Sequence, residues 1–250
     1  MNGSISFLVT ALNEEEHLIP TIRTIESAAA ELGCDYEILL VNDGSTDATG
    51  QIADTHAVAD PRIRAIHNKT NLGLGGAYKR AIGFATKEHV MWVCGDNSET
   101  VDHLVSVASH AGEADIVVPV LRAGPQRPFL RRVTSKAFTQ IVNLLFGLKV
   151  GYYNGTVIHK TALITQVPIR TNSFAYQSEA LVKMLRAGCS YVEVPYSSRT
   201  YDGLFSNAMK PKNLAAVLKA LCVMFYEIKM KGFCLALDRP SCGGQCVISS

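Results

Sequence analysis

Carboxylate side chains follow short apolar segments at several places in the first hundred residues. The apolar residues that begin at Val90 lead to Asp96, and the earlier segment Glu37–Val41 leads to Asp43. A carboxylate at the end of a strand is a good ligand for a hard cation, because Mg²⁺ and Mn²⁺ take one or two carboxylates together with phosphate oxygens. Asp96 is therefore a candidate metal ligand, and a metal held there would neutralise a departing diphosphate.

Two further apolar segments end in the same way. Ile5–Ala11 is followed by Asn13, Glu14 and Glu15, and Ile63–His67 leads into the glycine-rich run Asn71–Gly76. Ligands of open α/β sheets bind beyond the carboxyl ends of the strands. The four segments therefore predict one shared site, in which Asp43 is placed to hydrogen-bond a base or a ribose.

Simpler explanations exist for two of these turns. Ser, Thr and Asp are the residues that helix N-caps prefer. Capping therefore explains Ser45 or Asp47 but does not explain the additional carboxylate of Asp43. The glycines of the third turn predict backbone N–H groups that approach a phosphate, with Lys79 and Arg80 nearby. Both cations suit a diphosphate, and both equally suit a solvent-facing helix surface.

Strands and helices alternate through about residue 120, which predicts a mostly parallel central sheet flanked by helices. The first helix is expected to be capped by Asn13, with Glu16 at the capping-box position, and to end near Leu32 at Gly33. Two later helices, Phe129–Leu148 and Leu214–Lys231, carry apolar stripes. Such a stripe packs on a core or binds at a membrane surface, and the pattern leaves both open.

Composition points to a single globular domain. The chain has 250 residues, 48% hydrophobic and 18% charged, with a net charge of +2. The seven irregularly spaced cysteines and the lack of a signal peptide predict a cytoplasmic location. No transmembrane helix is expected, because no apolar run reaches about 18 residues, and no nucleic-acid partner is expected.

The positive charge is unevenly distributed. Residues 116–178 contain no Asp or Glu, and this acid-free window carries eight cations: Arg122, Arg127, Arg131, Arg132, Lys136, Lys149, Lys160 and Arg170. The asymmetry favours an anionic partner, and the alternative is a solvated basic face.

Taken together, the motifs resemble the family 2 glycosyltransferases with the GT-A fold. The segments that carry the resemblance, in order and spacing, are Val9–Glu15, Val41–Asp47, Asn71–Gly76 and Cys94–Asp96. Tyr176–Glu179 and Val194–Gly203 are similar to segments of the polyprenyl-phosphate branch, the relatives of dolichol-phosphate mannose synthase. The resemblance covers about residues 4–215. Cys94 stands where the family's Asp-x-Asp motif has its first aspartate.

The resemblance implies a role for each matching residue. Asp96 is the second motif aspartate and binds Mg²⁺ or Mn²⁺ together with Ser98. The expected nucleotide and donor contacts are Ala11, Asn13, Glu15, Asp43, Asn71, Gly75, Lys79 and Asp96. The expected acceptor-phosphate contacts are Arg122, Arg131, Arg132, Ser135 and Arg199. Asp96 and Glu179 are the candidate catalytic residues, with Glu179 as general base if the acceptor is a neutral hydroxyl.

The implied activity is inverting transfer of a sugar from a UDP- or GDP-linked donor to a polyprenyl phosphate. Two alternatives remain: a soluble transferase that acts on a hydroxyl of a saccharide or natural product, and an inactive nucleotide-binding scaffold. We expect one Rossmann-like GT-A domain over residues 1–212. A C-terminal amphipathic helix over 213–236 is expected to pack on or beside it, before a flexible tail over 237–250. Peripheral contact with the cytoplasmic face of a membrane is expected.

Overall fold

The computed structural model describes residues 3–121, 129–196, 211–232 and 235–238. Within these ranges, residues 121 and 129–131 are described by their backbone alone. The strands in this part of the chain are β1 Ser4–Ala11, β2 Asp35–Asn42, β3 Ile63–His67, β4 His89–Cys94, β5 Ile116–Leu121, β6 Ile158–Lys160 and β7 Tyr191–Tyr196. The helices are α1 Leu18–Leu32, α2 Thr49–Ala59, α3 Leu74–Ile82, α4 Val101–Ala108, α5 Phe129–Phe146, α6 Thr161–Ile164, α7 Tyr176–Arg186 and α8 Pro211–Phe225.

The seven strands form one sheet in the order β3-β2-β1-β4-β6-β5-β7. Every pairing is parallel except those of β6, which runs antiparallel to both β4 and β5. The expected mostly parallel α/β sheet is therefore confirmed. Because the carboxyl ends of β2, β1 and β4 are adjacent, the turns that follow them share one edge of the sheet.

Apolar side chains cover both faces of the sheet, as the unbroken apolar strands predict. Along β1, Phe7 and Val9 join the core beneath α1 and α4, whereas Leu8 joins the core beneath α3 and α7. Burial on both faces makes the strand frame rigid, so the loops at its carboxyl edge start from fixed positions.

The predicted start of the first helix is wrong. Helix α1 begins at Leu18 after His17, with no side-chain cap, and Asn13 has a φ of 56°. Asn13 fails as a cap because its side chain turns to the β2–α2 loop, where its Oδ1 accepts from the N–H of Thr46 at 2.9 Å. The predicted end is confirmed: Gly33 has a left-handed φ of 59° and its N–H meets the last carbonyls.

The last helix is found where expected, and its apolar stripe divides between two environments. Val217, Leu221 and Met224 on α8 are buried, whereas Leu214 and Leu218 are about half exposed. Helix α8 continues without a break as a π-helical turn, Tyr226–Met230. Its inner face contacts α5 and α7.

In the described part of the chain, no helix combines the length and the apolar character needed to cross a membrane. Of the expected tail, only residues 237 and 238 are described. The division of the chain at residues 212 and 236 stays a prediction.

Candidate active site

The turns after β1 and β2 are joined by hydrogen bonds. Ala11 ends β1 and its carbonyl accepts from the N–H of Asp43 at 2.9 Å. The N–H of Asn13 donates to Ser45 Oγ at 3.0 Å, and Glu15 Oε2 accepts from the N–H of Ala48 at 2.9 Å. Four of the residues predicted to bind the donor, Ala11, Asn13, Glu15 and Asp43, therefore lie together at one edge of the sheet.

Asp43 is buried and holds the glycine-rich turn in place. Its Oδ1 accepts from Asn68 Nδ2 at 2.8 Å and from the N–H of Leu72 at 2.9 Å, and its Oδ2 accepts from the N–H of Gly73 at 3.0 Å. Asn71, which is exposed, also accepts from the N–H of Gly73. Asp43 thus fixes the position of the glycine-rich turn, and its contact with a nucleobase stays a prediction.

The glycine-rich turn is packed against a loop that sequence reasoning missed. The N–H of Gly75 donates to the carbonyl of Asn172 at 3.0 Å, and a Cβ at Gly75 would lie 2.7 Å from the carbonyl oxygen of Thr171. Lys79 Nζ donates to Asn172 Oδ1 at 2.6 Å and to the carbonyl of Arg170 at 3.4 Å. In this structure the glycine allows close approach of protein backbone, and binding of a phosphate by Gly75 and Lys79 stays a prediction.

Asp96 lies just beyond β4, in a turn fixed by buried contacts. The N–H of Gly95 donates to the carbonyl of Thr10 at 3.0 Å, and Thr21 Oγ1 donates to the carbonyl of Gly95 at 3.1 Å. The N–H of Ser98 donates to Asp96 Oδ1 at 3.1 Å. These contacts place the Asp96 carboxylate at the same edge as the β1 and β2 turns, and leave it partly exposed.

The local electrostatics favour a hard cation bound through oxygen. Burial raises the pKa of Glu14, and the charge of Asp96 raises it further, which places the two carboxyl groups in one electrostatic environment. Burial also raises the pKa of the Cys94 thiol well above its usual value, with a further contribution from Asp96. Mg²⁺ and Mn²⁺ prefer oxygen ligands to sulfur, so the oxygen atoms of Asp96 and Ser98 are the suitable donors.

The described residues contain no group of three or more His, Cys, Asp or Glu side chains arranged to hold a metal. Mg²⁺ and Mn²⁺ usually bind through one or two carboxylates and complete their shells with water and substrate phosphates. The donor set at Asp96 therefore fits such an ion when a diphosphate supplies the remaining ligands.

Glu179, near the start of α7, is buried among hydrogen-bond donors. Its carboxylate accepts from the N–H groups of Arg170 and Thr171, at 2.9 to 3.1 Å. Lys183 Nζ, one helical turn later, lies 2.5 Å from Glu179 Oε1. The carboxylate stabilises the loop that packs on the glycine-rich turn. Its predicted role as a general base stays untested, and the spacing of Glu179 and Lys183 by four residues was the sequence signal for their pairing.

A second pair with the same spacing was also missed. His103 on α4 is buried. Its Nδ1 lies 3.2 Å from Glu99 Oε2, and its Nε2 lies 2.5 Å from Thr156 Oγ1. Burial lowers the pKa of His103 to about 4. A neutral imidazole therefore ties the loop after Asp96 to the segment that enters β6.

The predicted acceptor-phosphate residues are only partly described. Arg132 is exposed and Ser135 is half-buried on the first turns of α5, and Arg131 is placed by its backbone alone. Arg122 and Arg199 lie outside the described residues. The structure thus places three of the predicted contacts on one helix, one of them by its backbone alone, and leaves the grouping of all five a prediction.

Curated proteins that are similar to this chain are named as sugar transferases. The chain is 29% identical over 202 residues to glycosyltransferase AglD of Haloferax volcanii, covering 76% of this chain and 32% of that protein. It is 27% identical over 198 residues to undecaprenyl-phosphate mannosyltransferase of Micrococcus luteus, covering 71% and 80%. It thus spans about a third of the first relative and most of the second.

Solved structures with the same fold include mannosyl-3-phosphoglycerate synthase from Rubrobacter xylanophilus. That match has a TM-score of 0.69 and 14% identity and covers 95% of this chain and 78% of the other. Glucosyl-3-phosphoglycerate synthase from Mycobacterium tuberculosis, solved with Mn²⁺, UDP-glucose and phosphoglyceric acid, matches with a TM-score of 0.62 at 17% identity, covering 88% and 80%. These likenesses confirm the GT-A fold.

The family model described as glycosyl transferase family 2 matches residues 6–180. This range includes the turns that carry Asn13, Asp43, Gly75 and Asp96, which the structure places along neighbouring strand ends. It covers more than half of the 250 residues. The chain therefore belongs to glycosyl transferase family 2.

Proposed function

We propose that this chain transfers a sugar from a nucleotide-diphosphate sugar to a polyprenyl phosphate, with inversion at the anomeric carbon. The observation that carries the proposal is that the turns bearing Asp43 and Asp96 lie at the same edge of the sheet, on either side of the β1 turn. A donor site needs both a part that holds the nucleotide and a part that holds the metal. The Micrococcus relative, which is named for mannosyl transfer to undecaprenyl phosphate, supports the acceptor class.

The donor is proposed to lie across the turns after β2, β1 and β4, with its base toward Asp43 and its diphosphate toward Asp96. A divalent ion bound with Asp96 and Ser98 supplies charge neutralisation for the leaving diphosphate. The crystal structure of the Mycobacterium tuberculosis enzyme with Mn²⁺ and UDP-glucose supports this pairing of ligands. Both UDP- and GDP-linked sugars fit the proposal.

The environment of Glu179 favours a phosphate acceptor over a neutral hydroxyl. A general base needs a lone pair within reach of the proton that it removes, and the Glu179 carboxylate is already engaged by Lys183 and two backbone N–H groups. A phosphate monoester is an anion near neutral pH and needs orientation more than deprotonation. Arg131 and Arg132 are proposed to provide that orientation.

Peripheral attachment to a membrane is proposed for the outer surface of α5 and α8. Apolar side chains on this surface are exposed, with Leu144 at 84% and Leu218 at 55%. Exposed cations, including Lys136 and Lys219, lie on the same two helices. Each cation near an anionic leaflet contributes about 1 kcal/mol, so the surface combines the two contributions that interfacial helices use.

The proposal is tested by transfer assays on the purified chain. UDP- and GDP-linked sugars are incubated with Mn²⁺ and either a polyprenyl phosphate or a soluble hydroxyl acceptor, and the products are identified by mass spectrometry. We expect metal-dependent glycosylation of the polyprenyl phosphate. Transfer only to the soluble acceptor would establish the hydroxyl-acting transferase instead, and nucleotide binding without any turnover would indicate a scaffold.

Cys94→Asp is expected to strengthen the binding of Mn²⁺, because it restores the first carboxylate of the family motif beside Asp96. In the absence of metal the two carboxylates repel each other, so the melting temperature of the apo variant should fall below that of the wild type. Titration of both proteins with Mn²⁺, followed by thermal unfolding, should show the larger stabilisation in the variant. Weaker Mn²⁺ binding in Cys94→Asp would contradict the placement of Cys94 in the motif.

Replacement of Arg131 and Arg132 by Ala is expected to raise the apparent KM for a polyprenyl phosphate by about tenfold or more, since each charged hydrogen bond to a phosphate contributes about 1.5–3 kcal/mol. Nucleotide affinity should be nearly unchanged. Arg23→Ala, an exposed arginine on α1, is the matched control. Flotation with anionic liposomes at low and high salt separates acceptor recognition from membrane attachment. A matching loss of nucleotide affinity would contradict the assignment.

A further inference from the structure

Four charged side chains connect the C-terminal helix to the rest of the domain, and three of them, Glu179, Lys183 and Glu227, are buried. Lys183 has no exposed side-chain surface; its Nζ lies 2.5 Å from Glu179 Oε1 and 3.4 Å from Glu227 Oε2, and it donates to the carbonyl of Pro168 at 2.7 Å. Arg170 Nε lies 2.8 Å from Glu227 Oε1. The buried part of the network has one cation and two carboxylates, and the exposed Arg170 supplies the second positive charge. Pairing of this kind is the condition under which charges are tolerated in a protein interior.

Glu227 reaches this network from the π-helical turn that continues α8. Its side chain is 9% exposed, beside the buried Ile228. π-Helical turns are rare and often occur at functional sites. Both Glu227 and Lys183 lie outside residues 6–180, which the family model matches.

The network continues to the glycine-rich turn through backbone contacts. Glu179 accepts from the N–H groups of Arg170 and Thr171, so it sets the path of that loop. The next residue, Asn172, accepts from the N–H of Gly75 through its carbonyl. The adjacent N–H of Gly73 is held by Asp43. An unbroken series of contacts therefore runs from α8 to the residue proposed to bind the nucleobase.

We infer that Glu227 is a positioning residue for the nucleotide end of the site. By fixing Arg170 and Lys183, it holds the 168–172 loop against the glycine-rich turn and so presents Asp43 in one orientation. The inference rests on the proposed function for its effect on nucleotide binding. The structural part of the inference, that Glu227 keeps the glycine-rich turn ordered, does not depend on any substrate. Through Glu227 the helix proposed to lie on the membrane also supports the donor site.

The test compares Glu227→Ala and Glu227→Gln with the wild type and with Lys229→Ala, an exposed residue on the same π-helical turn. Hydrogen exchange of the amides of Leu72, Gly73 and Gly75 is measured relative to the β1 amides, without nucleotide. Affinities for UDP and GDP are then measured by calorimetry in the presence of Mn²⁺. Glutamine keeps the side-chain volume and one oxygen for Arg170, so it tests the position if the alanine variant fails to fold.

We expect Glu227→Ala to speed exchange in the turn but not in β1, and to weaken nucleotide affinity by about fivefold or more, the usual range of coupling between sites. Glu227→Gln should recover part of both effects, and Lys229→Ala should show neither. Unchanged exchange in the turn, or an equal increase throughout β1, would overturn the inference. If the wild-type chain binds neither nucleotide, the proposed function fails, and the exchange data still decide whether Glu227 orders the turn.

Discussion

Replacement of Asp96 by Ala should lower kcat by at least about 10²–10³-fold, the cost of removing one group that stabilises transition-state charge. The reason is its position: the turn after β4 is fixed by Thr10 and Thr21 and presents this carboxylate beside the turns after β1 and β2. Steady-state turnover with Mn²⁺, at a saturating donor concentration, measures the loss. The Asp96 side chain is partly exposed and contributes little to the hydrophobic core, so the fold should persist.

Asp102→Ala is the matched control for this experiment. Asp102 is an exposed carboxylate in the first turn of α4, six residues beyond Asp96. Its removal should leave kcat within about twofold, since exposed substitutions away from a site rarely matter. Full metal-dependent turnover in a correctly folded Asp96→Ala variant would remove Asp96 from the catalytic residues. Full turnover in Asp102→Ala, together with a loss of turnover in Asp96→Ala, would support the assignment of Asp96.

Replacement of Glu179 by Ala should destabilise the protein by about 3–5 kcal/mol, because it leaves a buried cation without its closest partner. Lys183 is completely buried, and Glu227 lies farther from its ammonium group than Glu179 does. The N–H groups of Arg170 and Thr171 also lose their acceptor. Urea unfolding of wild type and variant measures the change in the free energy of unfolding.

Two further variants show which role Glu179 has. Glu113→Ala removes an exposed carboxylate that pairs with His110 at 2.9 Å, and should cost less than about 1 kcal/mol. Glu179→Gln keeps the shape of the side chain, so a structural role predicts a moderate loss of stability with kcat largely retained. A fall in kcat of about 10²-fold at unchanged stability would instead identify Glu179 as the general base.

The sequence determined which segments form the strands and that several polar turns lie at one edge of the sheet. Unbroken apolar segments such as Ile5–Ala11 are stable only when both faces are covered, so they predict a parallel sheet with helices on both sides. Since parallel strands end at a common edge, the sequence alone predicts that Asp43 and Asp96 lie at the same edge of the sheet. These are local patterns with a fixed geometric consequence, and they were confirmed.

Only the tertiary structure decided which partner each polar residue has. The sequence around Asn13 predicts a helix cap. In the structure, pairing of β1 with β2 brings the β2–α2 turn close to Asn13, and its side chain accepts from the N–H of Thr46 in that turn. The glycines of Asn71–Gly76 predict backbone N–H groups near a phosphate, and only the structure shows that the N–H of Gly75 donates to the carbonyl of Asn172, almost a hundred residues later in the chain. Glu227 reaches the Glu179–Lys183 pair only when the C-terminal helix packs against α7. Such pairings depend on distances between elements, which no local pattern of residues contains.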